Sequence, residues 1–397
     1  MTANSPNRYL YWMFAVLLGT IGLCGAINIF VDPLGIFGSP RIAGINATKP
    51  YLDHHRELAR WQAARRLCPK VGIFGNSRAE IGLNPEHPVF QRLGLTAFNH
   101  AIPGSSITNS VRQLGWLQQA GCAPKEIVLG VEFFDFLGAS PAQAQSFDST
   151  APKIGLSVLA ETAFSITGLH DSLTTLAVQR TRYPATLTER GFNPLRNYVP
   201  EVEHSGHYVL FRQRAEENLK RWVRKAPRIH PETGGVSEDF AGLEAFLKGA
   251  ESAGSTVHLV IYPYHAEILL MLNRAGLLGV FEQWKAEIIA SVDKYAKAGM
   301  KVELIDFSGF SAETSEPIPV RGDKTHLAYY WEAGHFKKEL GDRMLDRIFG
   351  GETGFGTRLD RRTLALQREA DRQKIQKERE ANSSLAKEVD SLFEQAR

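Results

Sequence analysis

Five short apolar runs, at 71–75, 96–101, 126–133, 256–263 and 301–307, alternate with stretches whose apolar residues recur at helical spacing. This alternation constrains the fold more than any other property of the chain. A strand that returns parallel to its neighbour needs a crossover long enough to hold a helix. Helical patterns at 105–119, 239–253, 281–298 and 335–348 fill the intervals. The expected class is therefore α/β, a parallel sheet with helices on both faces, and a three-layer flavodoxin-like order follows from it.

One interval is too long for a crossover. Between 136 and 238 lie a helical pattern at 156–179, an aromatic loop at 198–211 and a basic helix at 212–225. Insertions of this size commonly build lids or partner surfaces. This mainly helical one is expected either to cap the carboxyl edge of the sheet or to pack as a structural elaboration. The segment 32–70 opens with Asp32-Pro33-Leu34-Gly35, reaches a helical pattern near 56–67 and reads as a stalk. From 358 onward Arg, Glu, Lys, Gln and Ala dominate, while Leu385, Val389, Leu392 and Phe393 are apolar positions at helical spacing that offer a face for docking on a partner or for weak dimerisation. That composition predicts a charged, mostly solvated helix. The plan is a tip and anchor at 1–31, a stalk at 32–70, an α/β domain at 71–350 and a tail at 351–397.

No side chain between Tyr9 and Val31 carries a charge. Such a run can cross the roughly 30 Å hydrocarbon core of a bilayer. It is longer than a signal-peptide core and has no polar mature start behind Cys24-Gly25-Ala26, which favours an uncleaved transmembrane helix. Tyr9, Tyr11 and Trp12 suit an interfacial belt, and Arg8 ahead of the span keeps the N-terminal tail cytoplasmic. The main domain is then expected on the periplasmic or extracytoplasmic side of the inner membrane. A net charge of +3 argues against a nucleic-acid partner. The chain has no P-loop, no dinucleotide fingerprint and no zinc-type Cys/His cluster, so neither a cofactor nor a metal is expected.

Of three cysteines, Cys24 lies in the apolar run, while Cys68 and Cys122 each precede a strand. If those strands are parallel neighbours, both thiols reach the same edge of the sheet, where a disulfide can close. Two buried free thiols are the alternative.

The first apolar run ends in Gly75-Asn76-Ser77-Arg78. A strand that stops in a small-residue turn with serine at its tip is one way for an α/β fold to present a nucleophile near free backbone N–H groups. A serine that attacks at neutral pH needs a base, and the base needs an acid to hold its tautomer. Among twelve histidines, three candidates lie beyond strands of the expected sheet. Glu332 stands three residues ahead of His335, which is expected to begin the last helix, and that helix carries Leu340, Gly341 and Leu345 in a pattern suited to tight packing. Asp323 and His326 have the same spacing. His265 ends the fourth strand and is a candidate for substrate contact or for a helix start without chemistry.

These blocks resemble the SGNH (GDSL-like) hydrolase superfamily, especially its membrane-anchored members of the envelope polysaccharide acylation type. The stretch 71–77 resembles the first block, with Asn76 where the motif has aspartate. The stretch 98–105 resembles the second, whose glycine, Gly104 here, lends an oxyanion N–H. Glu332 to His335 resembles the final DxxH block with Glu for Asp. The third block departs: where the family has an asparagine after a glycine, this chain reads Gly130-Val131-Glu132. The resemblance covers about 70–350 with the insertion unmatched.

It implies a serine esterase or O-acyltransferase on an acylated envelope or secreted polysaccharide, with a multi-span acyltransferase or an assembly complex as a partner. Ser77 would be the nucleophile, His335 the base and Glu332 its acid, and the amides of Ser77 and Gly104 would hold the oxyanion. A carboxylate at Glu132 opposes an oxyanion, and loss of one oxyanion donor costs about a hundred- to a thousand-fold in rate. Arg78 answers it by pairing with Glu132, or else binds an anionic sugar. The alternative function is a catalytically inactive scaffold in a polysaccharide assembly complex.

Overall fold

The computed structural model describes residues 6–137, 150–152, 155–224, 228–351 and 354–395. The N-terminal tip at 1–5, parts of the insertion including Lys225, and the last two residues of the tail lie outside these. From the N-terminus the elements are α1 (Pro6–Val31), α2 (Arg56–Leu67), β1 (Val71–Phe74), α3 (Ser77–Gly82), α4 (Pro88–Arg92), β2 (Ala97–Asn99), α5 (Ile107–Gln119), β3 (Glu126–Val131) and α6 (Phe133–Phe136). The insertion supplies α7 (Leu156–Phe164), α8 (Ile166–Ala177), α9 (Val199–Ser205) and α10 (His207–Arg224). Then follow α11 (Glu238–Ser252), β4 (Thr256–Ile261), α12 (Ala266–Arg274), α13 (Leu278–Lys297) and β5 (Val302–Asp306). The chain closes with β6 (Tyr330–Glu332), β7 (His335–Phe336), α14 (Lys338–Leu345), β8 (Thr357–Arg358), α15 (Arg361–Glu380) and α16 (Ser384–Gln395).

Two compact units result. The first holds 1–66, 152–187 and 195–197, and the second holds 67–151, 188–194 and 198–397. The insertion is shared between the units, and the segment read as a stalk is folded into the first.

In the first unit α1 is one apolar helix, and its stretch Arg8–Val31 is long and apolar enough to cross a membrane. Its C-terminal end is tied down by polar groups. Asn46 Nδ2 donates to the carbonyls of Phe30 and Val31 at 3.2 and 3.3 Å, satisfying acceptors that a helix end leaves open. Asp32, which follows, accepts from the amides of Phe37, Gly38 and Ser39 and faces the buried Lys49 ammonium at 3.4 Å. Leu52, Ala59 and Leu187 form a small apolar core in this unit.

The second unit is a mixed α/β body around a mainly parallel sheet in the order β2-β1-β3-β4-β5-β8, in which only β8 is antiparallel. Consecutive residues of the central strands, such as Ile127-Val128-Leu129 and Leu259-Val260-Ile261, are all buried. Strands covered on both faces read as continuous apolar runs, which is why these five are visible in sequence. Because β1 and β3 pair in parallel, with Val71 opposite Glu126, the cysteines that precede them are brought together. Cys68 and Cys122 form a disulfide with Cα atoms 4.9 Å apart, closing a loop with a sequence separation of 54. Chain-entropy arguments give a cross-link of this span about 4 kcal/mol of stabilisation.

The tail departs from the solvated helix expected. Two helices form, and both dock on the second unit: α15 against α13 and α12, and α16 against α12 and α10. Leu364, Ile375, Ala386, Val389 and Leu392 are buried in these contacts. Arg372 grips Glu282 through two bonds of 2.9 and 2.6 Å, Arg212 pairs with Glu388 at 2.6 Å and Arg274 with Asp390 at 2.9 Å. A narrow apolar stripe flanked by charges that find partners is enough to seat a helix with little apolar content.

Candidate active site

The carboxyl end of β1 builds the site. Gly75 has φ +146°, and a Cβ there would lie 2.3 Å from the Tyr262 hydroxyl, so only glycine fits between strand and turn. Asn76 caps α3, its Oδ1 accepting from the Arg78 amide at 3.1 Å. Ser77 is the first residue of that helix, where backbone N–H groups have no intrahelical acceptor.

Ser77 Oγ lies 2.8 Å from His335 Nε2. The other imidazole nitrogen, Nδ1, contacts Glu332 Oε1, and Glu332 Oε2 accepts from the Gly334 amide at 2.7 Å. Acid and base face each other across the β6–β7 hairpin, where Glu332 is the register partner of His335. His335 therefore does not begin the last helix, as its position suggested. The β-forming residues Tyr330, Trp331 and Phe336 make a hairpin around Ala333-Gly334, and α14 starts only at Lys338. Burial alone would raise the pKa of Glu332, but His335, Arg214 at 3.2 Å and the Gly334 amide outweigh it and hold it down to about 2. The carboxylate is thus charged across the working pH range.

Close backbone packing sets the distance between serine and histidine. A Cβ on Gly341 would sit 1.8 Å from the Gly82 carbonyl oxygen, and one on Gly82 would sit 2.0 Å from the Phe336 ring. The helix bearing Ser77, the strand bearing His335 and α14 meet at these two glycines.

Glu132 follows β3 at the start of α6 and is buried. Arg78 Nη1 pairs with its Oε2, and the Tyr264 hydroxyl donates to its Oε1 at 2.9 Å. Burial would lower the Arg78 pKa, but Glu132, followed by further acidic and phenolic neighbours, raises it, so the guanidinium stays charged. Of the two roles open to Arg78, the structure has the ion pair. Asn76 Nδ2 reaches Asp135 Oδ2 at 3.1 Å. Asp135 is pushed up to about 8, first by burial and next by the nearby Glu132.

Gly104 reaches the site because the chain after β2 runs alongside the turn: the His100 amide donates to Ile73 O and the Ile102 amide to Gly75 O. Gly104 has φ +69° and lines a cleft of about 680 Å³ together with Ser77 and His335. One wall of that cleft belongs to α10, through Arg214, Asn218, Arg221 and Trp222. Trp222 stacks on Phe134 at 5.4 Å. These four positions share one helical face, and their signal in sequence is the basic helix of the insertion. Asp135 and Phe134 are two further lining residues that the sequence reading did not single out.

Two candidates are not brought to the serine. Asp323 is half-buried and accepts from Thr325 N and Oγ1 at 2.8 and 2.7 Å, while the exposed His326 lies edge-on to the His207 ring at 6.1 Å. A local turn uses up the acid, so the alternative pair does not form. His265 caps α12, its Nδ1 accepting from Glu267 N at 3.2 Å and its Nε2 meeting Glu316 O at 2.8 Å. Burial lowers its pKa to about 4, which leaves a neutral imidazole whose two ring nitrogens are both engaged by backbone groups, and it is not among the residues that line the cleft with Ser77.

Compared with protein-family models, curated proteins and solved structures, the chain matches none.

Proposed function

We propose that this chain is an SGNH-like serine esterase or O-acyltransferase, held at the inner membrane by α1, that acts on an acylated envelope or secreted polysaccharide on the extracytoplasmic side. The reading is carried by one observation: Ser77 Oγ, His335 and Glu332 form a continuous hydrogen-bonded line at the mouth of an open cleft. The strand order β2-β1-β3-β4-β5 agrees with a flavodoxin-like core, in which ligands bind beyond the carboxyl ends of the strands.

Ser77 Oγ attacks the acyl carbonyl carbon while His335 Nε2 takes the hydroxyl proton, and Glu332 stabilises the imidazolium that forms. The tetrahedral oxyanion is held by the amides of Ser77 and Gly104. Collapse expels the sugar oxygen, which receives the proton from His335, and leaves an acyl ester on Ser77. Water then completes hydrolysis, or a second sugar hydroxyl completes transfer, with His335 again as base. An acyl donor presented by a multi-span membrane partner would enter at the first step.

A second reading, a scaffold of this shape that has lost chemistry, is favoured by Glu132. It stands where the related enzymes carry a donor asparagine, and its carboxylate is occupied by Arg78 and Tyr264.

The test is turnover of a chromogenic acetyl ester by the detergent-solubilised full-length protein. The enzyme reading expects hydrolysis that Ser77→Ala abolishes. The scaffold reading expects none, together with a Ser77→Ala chain that still supports polymer assembly in cells.

A further inference from the structure

Helix α8 is inverted relative to a helix of a water-soluble body. It buries Gly168, Asp171, Ser172 and Thr175, and leaves Ile166 84%, Leu173 54% and Leu176 39% exposed. With Leu169 these apolar residues recur at helical spacing and form one stripe. Its neighbour α7 adds Leu156 at 85% and Phe164 at 53%. Contiguous apolar surface of this kind marks a contact with something other than water.

What these helices bury is polar and small. Asn28 of α1 donates through Nδ2 to the carbonyls of Ala163 and Ser165 at 2.8 and 3.2 Å, and accepts at Oδ1 from Ser172 Oγ at 2.9 Å. A Cβ on Gly25 would lie 2.5 Å from the Phe164 ring, and one on Gly168 would lie 2.8 Å from the Thr162 carbonyl oxygen. Small residues at the helix contacts and polar groups paired between helices are how helices associate in hydrocarbon, where apolar surface gains nothing by being buried. The break between α7 and α8 frees carbonyls that could not stay unpaired at membrane depth, and Asn28 satisfies two of them.

We propose that α7 and α8, together with the 24–31 end of α1, lie in the lipid leaflet at which α1 ends, as a helical wedge that enters the bilayer without crossing it. The proposal rests on the reading of α1 as a membrane anchor. Helices of 9 and 12 residues are too short to span, since crossing takes about 20. The occupant is lipid because the apolar stripe continues from the exposed apolar surface of α1, against which both helices pack. Glu161 and His170 lie on the sides of their helices opposite the buried Ala163 and Ser172, and the exposed Arg180 and Arg182 follow α8. In the wedge these groups reach the headgroup layer.

The experiment uses full-length protein with Cys24→Ser, reconstituted in vesicles of phosphatidylcholine and phosphatidylglycerol, with an environment-sensitive fluorophore on single cysteines. Positions Ile166→Cys and Leu173→Cys report on the wedge, Phe14→Cys on the anchor and Leu366→Cys, on an exposed face of α15, on water. All four residues are exposed, so labels do not disturb packing. Doxyl-labelled lipid is expected to quench the emission at 166 and 173 to the same extent as at 14, as for probes among acyl chains, and to spare 366. The proposal is overturned if 14 is quenched while 166 and 173 are quenched only by aqueous iodide, or are shielded from both quenchers by a second copy or another protein. Failure to quench position 14 sinks the anchor reading itself, and the wedge with it.

Discussion

The guanidinium of Arg78 pairs with the carboxylate of Glu132 beneath the cleft, with side-chain exposures of 13% and 1%. Two charges so placed stabilise each other and little else, and removal of one leaves the other stranded. Arg78→Ala is expected to destabilise the protein by about 3–5 kcal/mol in chemical unfolding. Arg78→Met combined with Glu132→Gln is expected to recover most of that loss. Equal losses in the single and double variants would show that the pair is not the cause.

Glu332 holds the imidazole in one tautomer, and its pKa of about 2 keeps it charged. Glu332→Gln retains size and hydrogen bonding but removes the charge that stabilises an imidazolium. The expected fall in kcat/KM is roughly a thousand- to ten-thousand-fold, with the fold intact by circular dichroism. A loss of less than tenfold would remove Glu332 from the mechanism.

Asp135 gives stability a pH dependence of stated sign. Its carboxyl keeps a proton in the folded state up to about 8, against an ordinary value of 3.8. Between these values the unfolded chain binds fewer protons than the folded one, so stability falls as pH rises from about 4 to about 8. Unfolding midpoints across that window are expected to decline for the wild type and to flatten with Asp135→Asn. A wild-type slope unchanged by the substitution would assign it to another group.

Gly341 and Gly82 touch backbone to backbone. Gly341→Ala must push α14 away from the helix that carries Ser77. A displacement near 1 Å at reacting groups costs on the order of a hundredfold in rate. The expected signature is a lower kcat with KM nearly constant. Unchanged kcat would mean that the hairpin, not this contact, sets the position of His335.

What sequence makes legible here follows from how local each signal is. The five strands are buried on both faces, so their apolar runs announce themselves, and their parallel order follows from helices in between. The disulfide is half legible: Cys68 and Cys122 each precede a strand, but their meeting needs the β1–β3 pairing, which is a property of the sheet. His335 and Ser77 can be named from chain position, whereas the hairpin that joins His335 to Glu332 is missed, because its few β-forming residues abut a helical pattern. The same limit hides the role of α10. Arg214, Asn218, Arg221 and Trp222 share a face in any helical reading, yet nothing local says which surface that face covers. The tail misleads for a related reason, since its burial depends on partners such as Glu282 and Arg212 far along the chain.

The central claim is that Ser77 is an activated nucleophile, and the most direct measurement is covalent labelling of the full-length protein with a fluorophosphonate, followed by mass spectrometry of the labelled peptide. The expected result is a single phosphonyl adduct on Ser77, absent in Ser77→Ala and strongly slowed in His335→Ala. An unlabelled wild type that is folded, with the Cys68–Cys122 bridge intact, would contradict the account.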